Sequence, residues 1–156
     1  MAEQVNHPKH YNSHPSGVEC IEIIRSMDFN IGSAFKYLFR SEYKEDFLQD
    51  LNKALWYLKD EHQRRSNKLF LSKNIPNLFK FSEYRYRSKL LKKIIIAEYE
   101  IFPIEFHHYL PTIYKALNEA DYYLFELHSI GIAYDYISKI IDFVNTSSSN
   151  TENGKN

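Results

Sequence analysis

Three groups of side chains in this 156-residue chain have types and spacings that could do chemistry. The first is His7, His10 and His14. Imidazoles are common metal ligands, but this H-x2-H-x3-H run is broken by Pro8 and Pro15 and does not line one helical face. No fourth ligand stands beside it, so polar loop or capping roles suit these histidines better than a metal site, and none is expected. The second group is Lys36 and Arg40, one helical turn apart and followed by Lys44. Cations there complement the negative end of a helix; they equally suit phosphate capture, which arginine does bidentately. The third is the stripe Asp46, Asp50, Lys53 and Tyr57 at i, i+4 and i+3 spacings. As a surface network such pairs contribute about 0.2–0.5 kcal/mol each. Facing Lys36 and Arg40, its carboxylates could instead hold a magnesium ion or act as a base. Spacing alone leaves both open.

With four glycines and no G-x-x-x-x-G-K-[ST], G-x-G-x-x-G or G-x-S-x-G, the chain has no backbone cradle for phosphate, so side chains would have to hold any nucleotide. The single cysteine, Cys20, excludes an intrachain disulfide framework. Net charge is zero, yet residues 64–93 carry ten Lys/Arg and only Glu83 as an acid, while both flanks are acidic. Such a band either pairs with its own flanks or meets an anionic partner. Arg85, Lys89, Lys92 and Lys93 are the candidate interface cations, spaced along one expected helix.

The elements that must position these groups are helical. No stretch alternates with period two, and apolar residues recur at i, i+3 and i+4. Ser16 and Glu19 have capping-box spacing for a first helix ending near Asp28. Ile31, Ala34, Phe35, Leu38 and Phe39 define a second helix from about Asn30 to Ser41. A third runs from about Glu45 to Gln63, with Phe47, Leu51, Ala54 and Leu58 inward and Trp56 far from the core centre. A basic, aromatic linker follows over 64–81, then helices at about 82–101, 111–129 and 132–144, with Gly131 read as a C-terminal stop. The Ser/Asn-rich segment 145–156 is expected to be disordered. The fold expectation is all-α, five to six helices, with an N-terminal three-helix unit (1–63) and a C-terminal helical extension (82–144). His107 and His108 are expected to be structural.

Four segments occur in order: Val5-Asn6-His7-Pro8-Lys9-His10-Tyr11, Gly17-Val18-Glu19-Cys20-Ile21-Glu22, Ala34-Phe35-Lys36-Tyr37-Leu38-Phe39-Arg40 and Asp50-Leu51-Asn52-Lys53-Ala54-Leu55-Trp56-Tyr57-Leu58. Residues 5–60 thereby resemble a small domain of tailed bacteriophages, mostly of unknown function, with the pattern H-P-x-H-Y, G-x-E-x-I, K-Y-x-x-R and D-L-x-K-A-x-W-Y-L. That domain is similar to part of a podophage nucleotide kinase that lacks a P-loop and phosphorylates deoxynucleoside monophosphates. The resemblance implies nucleotide binding by His7, His10, Tyr11, Lys36, Arg40, Asp50, Lys53 and Trp56 or Tyr57. It implies magnesium only if the kinase-like reading holds. If nucleotide binds, Arg40→Ala should abolish binding with little loss of stability. Residues 64–156 share none of these motifs.

The resulting expectation is a phage-encoded nucleotide-binding protein, with a deoxynucleoside monophosphate kinase-like activity left open. The alternative is a non-catalytic phage protein that binds a host enzyme or antiviral defence complex, for which abundant tyrosine and a segregated charge pattern suit an interface. A nucleic-acid binder using the basic, aromatic residues 64–93 ranks third, because the net charge is neutral. No apolar run approaches the ~20 residues of a membrane span, and the N-terminal residues lack secretory-signal character. The expected place is the cytoplasm of a bacterial host, with homo-oligomerisation left open.

Overall fold

The structure, a computed structural model, describes residues 14–43, 46–67, 75–76, 80–124 and 127–153. Among the described residues six α-helices make an all-α fold: α1 (Cys20–Ile24), α2 (Phe29–Arg40), α3 (Phe47–Ser66), α4 (Phe81–Ile101), α5 (Tyr109–Tyr122) and α6 (His128–Asn153). Short 3-10 turns at Ser41–Tyr43 and Ile104–Phe106 follow α2 and α4. Ile75–Pro76 pairs antiparallel with Tyr123–Leu124, which fastens part of the α3–α4 connection to the end of α5.

Helix ends follow local chemistry. The Asp46 side chain accepts from the Gln49 amide at 2.8 Å and starts α3. Pro103 cannot continue α4, which ends at Ile101. The first helix is shorter than its capping-box spacing suggests. Ser16 bonds to His14 and accepts from the Val18 amide at 3.2 Å, making a turn instead of a cap. Gly17 then takes φ +68, which favours glycine, and the cap role passes to Glu19, whose amide donates to Glu22 Oε2 at 3.0 Å. At Gly32 an added Cβ would meet the Met27 Cβ at 3.3 Å, so a hydrogen there lets the end of α1 lie close against α2.

Two further expectations are corrected near the C-terminus. Gly131 does not stop a helix: its amide donates to the Leu127 carbonyl at 2.9 Å inside the first turns of α6. Residues 145–153 continue α6 instead of being disordered. Their hydroxyls bond back along the helix, as in Thr146 to the Asp142 carbonyl at 2.9 Å and Ser149 to the Asn145 carbonyl at 2.9 Å.

The core is one cluster. Phe35, Phe39, Leu51 and Leu58 from the first half pack with Ile94, Ile113, Tyr114 and Ile137 from the second. Each such buried side chain contributes about 1.5–3 kcal/mol relative to exposure. The sequence boundary near residue 64 therefore does not divide the core: α3 packs on both α2 and α6, and α5 packs on α2, α4 and α6.

Candidate functional site

Helices α2 and α3 bring Lys36, Tyr37, Arg40, Asp50, Lys53, Trp56 and Tyr57 to one face. Asp50 is buried near the start of α3, and Arg40 meets it bidentately: Nε donates to Oδ2 at 2.7 Å and Nη2 to Oδ1 at 3.0 Å. Lys53 Nζ lies 3.4 Å from Asp50 Oδ1 and also donates to Gln49. Burial pushes the Asp50 carboxyl up, but the hydrogen bonds and charges of Arg40 and Lys53 outweigh it and hold the group below its usual value. A carboxylate so firmly ionised is a weak base, and its position makes it the anchor for two cations.

Those two cations and Lys36 gather around one ring. Lys36 Nζ, Arg40 Cζ and Lys53 Nζ lie 4.7, 4.6 and 5.6 Å from the centroid of Tyr37. Tyr37 stacks on Tyr57 at 5.7 Å and 19°. Tyr57 in turn receives Trp56 edge-on at 5.0 Å and Phe29 at 5.9 Å. Phe29 is 76% exposed and Trp56 61%, unusual for large apolar rings. Beside this row, a cavity of about 240 Å3 opens between Met27, Phe29 and Gly32, with Lys36 on its wall. Lys36 makes no ion pair among the described residues.

Of the sequence-derived site, Lys36, Arg40, Asp50, Lys53, Trp56 and Tyr57 converge. His7, His10 and Tyr11 lie outside the described residues. His14 is buried at the end of α2, stacked on Phe39 at 4.6 Å. The Ser16 amide donates to its Nδ1 at 3.2 Å, which puts the ring proton on Nε2, 3.2 Å from Glu98 Oε1. Both ring nitrogens are occupied, so His14 is a structural residue and not a metal ligand. The low stability cost expected for Arg40→Ala is also corrected, because the substitution would leave Asp50 buried without its main partner.

Sequence reasoning missed a second polar cluster. Arg87 is 0% exposed and donates to Asp121 Oδ2 at 2.7 Å, Asn118 Oδ1 at 2.8 Å and Ser26 Oγ at 2.7 Å. Lys80 joins Asp28 to Asp121 at 2.7 and 3.0 Å, and Arg65 binds Glu61 at 2.6 Å and the Ala120 carbonyl at 2.7 Å. Burial raises Glu61, yet its bonds to Arg64 and Arg65 bring it down to about 2. The only signal in the sequence was the excess of acid in the flanks. By contrast Arg85, Lys89, Lys92 and Lys93 stand exposed on α4 and make no ion pair among the described residues. His107 Nε2 donates to the Phe102 carbonyl at 2.9 Å, a structural contact.

Residues 5–59, which contain this α2–α3 face, match the model of a family described as a protein of unknown function, DUF3310. No curated protein and no solved structure matches the chain.

Proposed function

We propose that the protein is a nucleotide-binding protein, phage-encoded, whose ligand lies on the α2–α3 face. The observation that carries this reading is the set of three cations around Tyr37, continuous with the row Tyr57, Trp56 and Phe29. Lysines bind phosphate as point charges. Exposed rings stack on bases, worth about 1–3 kcal/mol per base. Phosphate then meets Lys36 and Lys53, and the base lies against Tyr57 and Trp56. The site, as proposed, binds; a kinase-like step with magnesium would need a proton acceptor other than the ion-paired Asp50.

Trp56 is the single tryptophan, so its fluorescence reports this face alone. Titration with deoxynucleoside monophosphates should quench it saturably. Lys36→Ala should weaken binding about tenfold, the loss of one charge-assisted contact of about 1.4 kcal/mol. Unchanged fluorescence and melting temperature with all four monophosphates at millimolar concentration would refute the reading.

A second reading rests on α4. Its exposed Arg85, Lys89, Lys92 and Lys93 favour docking of an acidic macromolecule, as a non-catalytic interaction protein aimed at a host enzyme or defence complex would do. Capture of an acidic host protein that falls steeply with salt, in a preparation that ignores nucleotides, would favour it.

A further inference from the structure

A second cavity, of about 300 Å3, lies between α3 and α6 and shares no residue with the face just described. Its lining is Leu58, Lys59 and His62 from α3 with Ile130, Gly131 and Tyr134 from α6. Leu58 and Ile130 are buried and supply an apolar floor. The hollow exists because α6 has no side chain at Gly131: a Cβ there would meet nothing within 4 Å. Glycine weakens a helix interior relative to alanine. Here neither a positive φ nor a close neighbour requires it. What the glycine does provide is room.

The rim is polar and cationic. Lys59 is exposed and makes no ion pair or hydrogen bond with another described residue. His62 Nδ1 faces Ser66 Oγ at 3.4 Å, and its Nε2 has no partner among the described residues. We propose that this cavity is a binding site for a small amphipathic anion. Its apolar body rests on Leu58, Ile130 and Tyr134, and its carboxylate or phosphate meets Lys59 and His62. An apolar cavity of about 150 Å3 admits a benzene ring. Twice that space suits a two-ring body or a short chain, at the small end of ligand pockets.

Isothermal titration of the full chain with 2-naphthoate, 2-naphthyl phosphate and uncharged 2-naphthalenemethanol tests this. The expected result is saturable binding of at least one anion, with the alcohol several-fold weaker. Gly131→Leu should fill the hollow and weaken binding at least about tenfold while circular dichroism stays helical. Gly131→Ala, the milder variant, should fall between. Lys59→Gln should weaken the anions and leave the alcohol unchanged. Preference for naphthoate or for the phosphate identifies the head group. No binding of either anion at millimolar concentration, or equal binding by Gly131→Leu, would overturn the site. Equal affinity for alcohol and anions, with no effect of Lys59→Gln, would overturn the assignment of an anionic ligand.

Discussion

At Asp50 a carboxylate leaves water and is compensated first by Arg40 and then by Lys53. Removing one partner of a buried pair typically costs about 3–5 kcal/mol because the other charge stays behind. Arg40 keeps some exposure, so Arg40→Ala should lose about 3 kcal/mol in urea denaturation, near the low end of that range. Arg40→Ala with Asp50→Ala together should recover part of the loss. Glu42 makes a separate prediction. Burial and the nearby Glu98 charge raise its carboxyl to about 7, against an ordinary value of 4.5. The folded state holds this proton more tightly than the unfolded state does, so stability is full below pH 4.5 and declines as pH rises to about 7. Glu42→Gln should flatten that decline and raise the melting temperature at pH 8. Glu61 has the opposite sign: lowered to about 2, its contribution is present above 4.5 and lost on acidification towards 2. At this scale the motif residues were legible as a set, since Lys36, Arg40, Asp50 and Lys53 do meet. Their division of labour was not, because one rotamer decides whether Arg40 points at a ligand or at Asp50. Arg87 was illegible for a related reason: it stands among exposed cations in the sequence, and only the positions of Asn118 and Asp121 draw it inward.

The helices were readable wherever an apolar stripe had to face a core. The bounds of α2, α3 and α4 fall within a few residues of those the periodicity predicts. Errors gathered where the stripe fades. A glycine with open space around it ends nothing, and a run of Ser and Thr can extend a helix by bonding its own carbonyls. Residues 145–149 of α6 are exposed, so a chain ending at Val144 should keep the melting temperature of the full chain while losing helical signal; a fall of several degrees would show that the end of α6 docks. On α4, reversing Lys89, Lys92 and Lys93 to Glu should leave helicity and stability nearly unchanged, since these cations have no described ion partner to lose. Surface substitutions of this kind are usually within about 0.5 kcal/mol. A marked drop in stability would assign the cations to the fold.

Taken whole, the molecule joins the family-matched residues 5–59 to the unmatched remainder through polar bonds as well as apolar contacts. His14 meets Glu98, the Asp28 amide donates to Asp121 at 2.6 Å, and Ser26 meets Arg87. The all-α class was legible; the single core was not, because the charge boundary near residue 64 looks like a domain boundary while four of the eight described cations in residues 64–93, Arg64, Arg65, Lys80 and Arg87, are pairing partners. Unfolding in urea should therefore be one transition. Trp56 fluorescence and far-UV circular dichroism should report the same midpoint, as two-state behaviour requires. Arg87→Ala should lower that midpoint by the equivalent of about 3 kcal/mol by both probes, since it strips Asp121 Oδ2 of its buried partner while Lys80 and the Asp28 amide still hold Oδ1. Separate midpoints would show two folding units.

The bond between His14 and Glu98 spans 84 positions, and this has a consequence for the order of events during synthesis. At about 5–20 residues per second, the ribosome needs about 4–17 s to make the partner after His14 has been added. For much of that interval the nascent chain carries Phe35, Leu38 and Phe39 without α5, which packs on the same helix and sets Tyr114 against Phe35. A chaperone that grips apolar segments during translation should crosslink to this stretch, and release it once residues up to about 121 have left the exit tunnel.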